Sequence, residues 1–250
     1  TSFYLVNADS LYPALVPVRY PKTGTPNADV RIGVVELATR RTTWVDLGAD
    51  RDIYVAAMDF ADSPTELWLT RLNRHQNRLD VLLGDARRGA ARVIMTDTDS
   101  AWVDAHRPLW FNGGKEFLFE SERDGYSHLY LYTRAGTLVR RVTPGDWDVL
   151  GEYGVDEKTR TLYFTGAIDG PLARPVLRIG LDGRGLTRIS TEPGTHSPEF
   201  DAAHRWYVDT YSRAGVPPME VLRGADGKAV RTIADNHVLA GKVAALGLTL

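Results

Sequence analysis

Residues 117–142 have the sequence FLFESERDGYSHLYLYTRAGTLVRRV, and this stretch decides the fold. It contains three short runs of aromatic and aliphatic residues, which are the residue types that favour β-strands. Asp124-Gly125 separates the first run from the second, and Ala135-Gly136 separates the second from the third. Glycine readily takes the positive φ that tight hairpins need. The stretch therefore predicts an antiparallel meander of three strands.

The same arrangement of runs and turns recurs along the chain. Residues at equivalent places in three successive sets, 45 and 44 positions apart, are Phe119, Phe164 and Val208. A set with longer hairpins covers residues 53–95, and an incomplete set covers residues 31–47. Repeats of about 40–50 residues with four short strands are typical of β-propeller blades.

We therefore predict an all-β fold: a partial β-propeller with about four to five four-stranded antiparallel blades. A single twisted blade leaves both of its faces uncovered, and stacking of neighbouring blades buries them. Since propellers close with about four to eight blades, this number fits a small closed ring or an open arc of a larger one. Residues 235–246 follow the last blade and predict a short C-terminal helix, which Asp235 or Asn236 could cap.

The composition excludes several classes of protein. The chain has 250 residues, 43% of them hydrophobic and 25% charged, so it is not a wholly disordered chain. No window approaches the roughly 20 apolar residues of a membrane span. A net charge of −2 provides no basic field for nucleic acid. The absence of cysteine excludes disulfides, thiolate metal sites and a cysteine nucleophile.

Motifs of catalysis and of metal or cofactor binding are missing from the sequence. It contains no G-x-S-x-G nucleophile elbow, no H-E-x-x-H and no glycine-rich phosphate loop. The acidic stretch that begins at Asp97 lacks the glycine and glutamate of a calcium loop. We interpret His196 and His204 as solvated turn residues. We therefore expect no catalytic residue, no metal site and no cofactor.

Four segments of the chain carry a resemblance. They are residues 20–30 (YPKTGTPNADV), 72–80 (LNRHQNRLD), 121–130 (SERDGYSHLY) and 231–248, a blade end followed by an alanine- and leucine-rich stretch. Together, in this order, they resemble the propeller domain of dipeptidyl peptidase IV-type serine exopeptidases, within the prolyl oligopeptidase superfamily. The first two are fairly specific as a pair, whereas many propellers share the third. The resemblance covers essentially the whole chain.

The resemblance implies an organisation of domains. Members of the family look like an eight-bladed propeller joined to an α/β-hydrolase domain that carries Ser, Asp and His. By this similarity the chain is a fragment, the C-terminal part of the N-terminal propeller domain, without the catalytic domain. Residues 1–234 would then be blades, including an extended arm at 1–25. Residues 235–250 would form a linker helix toward the absent hydrolase domain.

The resemblance also implies substrate-binding residues. The stretch from Trp102 to Pro108 aligns with a family loop that lines the substrate pocket with an aromatic residue and an arginine. Arg107 matches that arginine in type, and its planar fork suits a carbonyl or carboxylate group. His106 stands in place of the aromatic residue, and Trp102 belongs to the same loop. The family's paired glutamates lie upstream of the matching region.

The favoured function is a non-catalytic propeller fragment of a dipeptidyl peptidase IV-like serine peptidase. It would gate and position peptides while the absent hydrolase domain removes N-terminal X-Pro dipeptides, so the chain alone is expected to be inactive. The expected partners are that domain and a second copy, through residues 1–25 or exposed blade faces. Two alternatives remain: a stand-alone protein-binding scaffold, and a small complete propeller enzyme acting on carbohydrate. The sequence is compatible with a bacterial periplasm or cytoplasm.

Overall fold

The computed structural model describes residues 2–9 and 11–247, and it contains six antiparallel sheets and one short helix. The chain divides into two compact units, Thr1–Ala105 and His106–Leu250. Four of the sheets in the described residues have four strands and two have two strands. The predicted tail at residues 248–250 lies outside the described residues.

The first unit contains a two-stranded arm, a short two-stranded sheet and one complete blade. The arm pairs β1 with β2, the short sheet pairs β3 with β4, and the blade has the order β5-β6-β7-β8. The bounds are β1 (Ser2–Asn7), β2 (Ala14–Arg19), β3 (Gly33–Val35), β4 (Thr42–Trp44), β5 (Ile53–Phe60), β6 (Glu66–Asn73), β7 (Arg78–Asp85) and β8 (Ala91–Thr98).

The blade of the first unit has a buried centre. Leu69 of β6 and Leu79 and Val81 of β7 are fully buried, because the two central strands have neighbours on both sides. Asn73 fixes the turn between these strands: its side-chain oxygen accepts hydrogen bonds from the backbone N–H groups of Asn77 and Arg78. The hairpin therefore has a defined loop from residue 74 to residue 77.

The second unit contains three consecutive four-stranded blades and the helix. In each blade, sequential strands are hydrogen-bonded neighbours, as a meander requires. The bounds are β9 (Leu109–Phe111), β10 (Glu116–Ser121), β11 (His128–Thr133), β12 (Leu138–Arg141), β13 (Val149–Asp156), β14 (Thr161–Gly166), β15 (Val176–Gly180), β16 (Thr187–Arg188), β17 (Thr195–Phe200), β18 (Trp206–Arg213), β19 (Val216–Gly224), β20 (Ala229–Ala234) and α1 (His237–Ala245).

The middle blade of the second unit packs on both of its faces. Leu162 and Phe164 of β14 belong to a core that includes Leu118 of β10. Tyr163, which lies between them on the strand, belongs to a separate core with Tyr207 of β18. Because successive side chains of a strand point to opposite faces, one strand contributes to the packing against both neighbouring blades. This is the stacking that the repeat pattern predicts.

The structure corrects several details of the sequence-based prediction. The predicted four-stranded blades are present in the second unit, but their first strands, β9, β13 and β17, are not among the runs that the sequence analysis identifies. The incomplete set at residues 31–47 contains only the short strands β3 and β4. Asp97 lies in β8 and is buried, so the acidic stretch begins inside a strand.

The interpretation of two histidines as solvated turn residues is wrong. His196 lies in β17 and is 2% exposed, with Nδ1 3.0 Å from the carboxylate oxygens of Asp209. His204 lies in a turn, but it is half-buried: its Nε2 is 3.0 Å from the carbonyl oxygen of Tyr153, and its ring stacks on Tyr163. The His204 ring therefore links the last blade to its neighbour, and the His196 ring links two strands within the last blade.

The C-terminal helix forms where the sequence predicts it. Asn236 occupies the cap position without a capping hydrogen bond from its side chain, which instead donates to the Pro218 carbonyl at 2.5 Å. The Asp235 carboxylate accepts the backbone N–H of His237. The helix has nine residues, and no helix in the described part of the chain is long and apolar enough to cross a membrane.

Candidate functional site

The loop that carries Trp102 follows β8 in the first unit. It is held to the β6–β7 hairpin by two backbone hydrogen bonds, from Val103 N–H to the Gln76 carbonyl and from Asp99 N–H to the Asn77 carbonyl. Val103 is buried, whereas the Trp102 side chain is 52% exposed. The Trp102 indole donates a hydrogen bond to Asp104 at 3.1 Å. The loop therefore presents an accessible indole from an anchored backbone.

His106 begins the second unit and lies against β10. Its Nδ1 is 3.6 Å from a carboxylate oxygen of Glu120, and its ring meets the Phe119 ring edge-on, with centroids 6.4 Å apart. Its Nε2 is enclosed by protein and has no hydrogen-bond partner among the described residues. The imidazole is thus positioned by a carboxylate on one side and an aromatic ring on the other.

Glu120 is itself held by its neighbours. Its second carboxylate oxygen accepts a hydrogen bond from the Ser127 hydroxyl at 2.5 Å. Ser127 in turn donates its backbone N–H to Asp148, which precedes β13. The turn between β10 and β11 is therefore tied to the segment that leads into β13 of the next blade. The Glu120 carboxylate thus stays fixed beside His106.

Glu152 of β13 is a second carboxylate near His106. It is accessible to solvent, but the surrounding protein removes part of its hydration, and this raises the pKa of its carboxyl group. The negative charge of Glu120 raises the same pKa further, while His106 opposes this effect. The two glutamates and the histidine therefore interact through their charges.

Arg107 is exposed and follows His106 directly. It forms no hydrogen bond, ion pair or ring contact within residues 2–9 and 11–247. The next residue, Pro108, is buried and leads into β9 at Leu109. An anchored backbone with a free guanidinium is suited to binding a carbonyl or carboxylate group of a ligand.

The structure thus brings His106 together with Glu120 and Glu152, next to Arg107, in the second unit. Trp102 belongs to the first unit, in the loop that follows β8. The sequence analysis singled out neither glutamate; the one available signal, for Glu120, was a charged residue directly after the apolar run FLF of residues 117–119. Among the described residues, no three or more His, Cys, Asp or Glu side chains are arranged to hold a metal ion.

These features define a class of protein. Repeated four-stranded antiparallel meanders whose blades pack face to face are those of a β-propeller.

Comparison with known proteins then identifies the family. The family model described as "Dipeptidyl peptidase IV (DPP IV) N-terminal region" matches residues 1–218, and the chain belongs to this family. The predicted family and the predicted partial-propeller fold are confirmed.

Sequence relatives agree with this assignment. Dipeptidyl peptidase 4 of Trichophyton rubrum is 26% identical over 243 residues, which cover 93% of this chain and 31% of that protein. Dipeptidyl peptidase 4 of Arthroderma otae is 27% identical, with the same coverage. The chain therefore spans about a third of the length of these relatives.

Solved structures agree as well. The crystal structure of Porphyromonas gingivalis dipeptidyl peptidase 4 matches with a TM-score of 0.89 and 32% identity, covering 97% of this chain and 35% of that one. A putative dipeptidyl aminopeptidase IV from Bacteroides ovatus matches with a TM-score of 0.81, 94% of this chain and 36% of that one. At 22% identity, the second likeness shows the fold alone.

Proposed function

We propose that this chain is the non-catalytic propeller portion of a dipeptidyl peptidase IV-like serine peptidase. In this role it gates and positions peptides, while an α/β-hydrolase domain outside the sequence removes N-terminal X-Pro dipeptides. The observation that carries the proposal is the family match over residues 1–218, from a chain that spans 31% of its curated relatives. The sequence contains no G-x-S-x-G elbow, in keeping with a non-catalytic role.

The proposal divides the chain as the resemblance implies. Residues 1–234 form the blades, with the arm at 1–25, and residues 235–250 lead toward the hydrolase domain. The described part of this last segment supports a docking role. A cavity of about 590 Å³ lies between the end of β20 and α1, where Val238 and Leu239 are 61% and 48% exposed. Exposed apolar side chains of this kind favour burial against another domain.

Substrate binding is proposed for Arg107, His106 and Trp102. Arg107 has a free guanidinium that can donate two hydrogen bonds to a peptide carbonyl or carboxylate. His106, next to Arg107 in the chain, is held by Glu120 with a quarter of its side chain exposed, and Trp102 offers an exposed indole face. Each of these groups is able to contact a peptide from its own unit, and the bond cleavage is left to a serine nucleophile elsewhere.

The first test uses Arg107→Ala in the full-length protein that contains this chain. Loss of a hydrogen bond to a charged group costs about 1.5–3 kcal/mol. Since 1.4 kcal/mol is tenfold, we expect KM for an X-Pro chromogenic peptide to rise roughly 10- to 100-fold with little change in kcat. Arg92→Ala, an exposed arginine on β8, is the matched control and should leave KM unchanged.

Two results would overturn the proposal. One is an unchanged KM in Arg107→Ala, which would remove Arg107 from substrate binding. The other is hydrolysis of the peptide by the isolated chain that resists serine reagents and survives repurification, which would place catalysis within these residues.

The arm provides a second proposal, association with another copy of the chain. Its apolar side chains are unusually exposed, with Leu11 at 89% and Leu15 at 65%. We expect Leu11→Asp with Leu15→Asp to convert a dimer to a monomer in sizing experiments. Leu37→Asp, at a residue that is 90% exposed outside the arm, is the control. A dimer that survives the arm substitutions would shift the contact to exposed blade faces.

A further inference from the structure

The two segments that most specifically carry the family resemblance meet in one pocket of the first unit. Residues 20–24 from the first segment and Arg74 and His75 from the second line a cavity of about 770 Å³, together with Tyr54 of β5. We call this the Lys22–Arg74 pocket. The proposed peptide-binding role of Arg107 and His106 does not use it.

One wall of the pocket is a tight turn. The Lys22 carbonyl accepts hydrogen bonds from the Thr25 backbone N–H at 2.9 Å and the Thr25 hydroxyl at 2.7 Å. Gly24 occupies the turn with φ of +79°, a value that glycine adopts without strain. These bonds fix the backbone from which Lys22 projects.

The opposite wall is the β6–β7 hairpin loop. Arg74 crosses between the walls, because its Nη2 donates a hydrogen bond to the Thr25 carbonyl at 3.2 Å. Its guanidinium also lies 5.8 Å from the centre of the Tyr54 ring. Arg74 and Lys22 are thus presented by two separately fixed pieces of backbone, so neither needs a large rearrangement to bind a ligand.

The charges of the pocket favour an anion. The carboxylate in contact with Arg74 is Asp52, whose oxygen is 3.6 Å from Nη1, longer than a hydrogen bond. This Nη1 is enclosed by protein and has no hydrogen-bond acceptor among the described residues. Lys22 lies over the Phe3 ring at 4.1 Å and forms no ion pair with the described part of the chain. Lys22 and Arg74 therefore bring two positive charges to the pocket, against the one carboxylate of Asp52 beside Arg74.

We propose that the Lys22–Arg74 pocket binds an oxyanion, either a carboxylate or a phosphate, carried on a planar apolar group. The Arg74 guanidinium and the Lys22 ammonium hold the oxyanion, since guanidinium and ammonium groups form charge-assisted hydrogen bonds with it. The rings of Tyr20 and Tyr54, both lining the cavity, contact the apolar part. His75 is the third basic side chain of the lining.

The test measures binding of four probes to the whole chain by titration calorimetry: inorganic phosphate, acetate, phenyl phosphate and benzoate. We expect saturable one-to-one binding, tighter for the two aromatic probes, and weaker as salt increases. Preference between the phosphate and carboxylate pairs of probes identifies the chemical source of the oxyanion. Absence of saturable binding by all four probes overturns the proposal.

Substitutions locate the binding. Lys22→Gln removes an exposed charge and should raise the Kd at least tenfold, and Arg74→Gln should do the same. Arg92→Gln makes the same change of charge on β8 and should leave the Kd unchanged. Arg74→Gln also removes the tie to Thr25, so circular dichroism checks its fold, and Lys22→Gln decides the matter if that variant unfolds. Binding that is equally strong in Lys22→Gln, or equally weakened in Arg92→Gln, contradicts the assignment.

Discussion

The buried ion network of the last blade gives a quantitative prediction for Asp209→Asn. Asp209 on β18 is fully buried, with its carboxylate 3.0 Å from Nδ1 of His196 on β17 and 2.9 Å from Nε of Arg223 on β19. The one carboxylate therefore links three adjacent strands. Burial disfavours the charge of Arg223, but Glu192 and Asp209 outweigh it and raise the pKa of the guanidinium, which stays charged.

The magnitude follows from what the substitution leaves behind. Removing one partner of a buried ion pair costs about 3–5 kcal/mol, because the other charge remains buried. Glu192 still lies 2.7 Å from Nη2 of Arg223, so the guanidinium keeps part of its compensation. We therefore expect a loss of about 3 kcal/mol in the free energy of unfolding, the lower end of that range.

Urea denaturation provides the assay. With an m-value of about 3 kcal/mol/M, the loss lowers the midpoint by about 1 M. Hydrogen exchange should show the loss of protection concentrated in β17, β18 and β19. Asp146→Asn, at an exposed position, is the matched control. The reasoning is refuted if Asp209→Asn lowers the midpoint no more than Asp146→Asn does.

Two further substitutions test the first unit. Burial opposes the charge of Asp80, but hydrogen bonds led by Arg71 outweigh it and lower the pKa of its carboxyl group. Its contribution to stability is therefore present above the unfolded pKa of about 4 and lost as the pH falls through the folded value, so acid unfolding of Asp80→Asn should show a weaker pH dependence than that of the parent. Gly89→Ala, at φ of +77°, places a Cβ against the Trp44 carbonyl and should cost at least about 2 kcal/mol, or about 4–8 °C in Tm. Gly185→Ala, at φ of +71° with no atom within 4 Å, is the control. It should lose less stability, because it has the strain of a positive φ without the steric clash.

The turns were the most predictable part of the fold. Gly125 and Gly136, which separate the strands of the quoted stretch, have φ of +94° and +89°, as tight turns between strands require. The dipeptides and the hydrophobic runs between them are local signals, and they predict hairpins without knowledge of the tertiary structure. The period of about 45 residues then follows from repetition of the same unit.

The first strand of each blade in the second unit was missed for reasons visible in its sequence. β9 has only three residues, β13 contains Gly151 and Gly154 with two shifts of register, and β17 contains Pro198. Glycine and proline weaken an isolated strand, and an irregular register hides the alternation of side chains. These strands exist because a neighbouring strand supplies their hydrogen-bond partners, which a local pattern does not contain.

The candidate site was predictable only in part. Arg107, His106 and Trp102 were proposed from a resemblance along the chain, but Glu120 and Glu152 are 32 residues apart and lie on different blades. Their interaction depends on how one blade packs against the next, and no spacing in the sequence encodes that. The same applies to His196 and Asp209, whose contact depends on the register of β17 and β18.

The way in which blades pack explains where binding residues can lie. The central strands bury side chains on both faces, as Leu162 and Tyr163 do on opposite faces of one blade. The side chains that we propose to contact a ligand therefore lie mostly in segments that enter or leave a strand, apart from Tyr54 on the edge strand β5. Arg107 precedes β9, and Lys22 and His75 lie in loops. Segments of this kind can change without loss of core packing, so the repeats specify the scaffold while short loops specify what it binds.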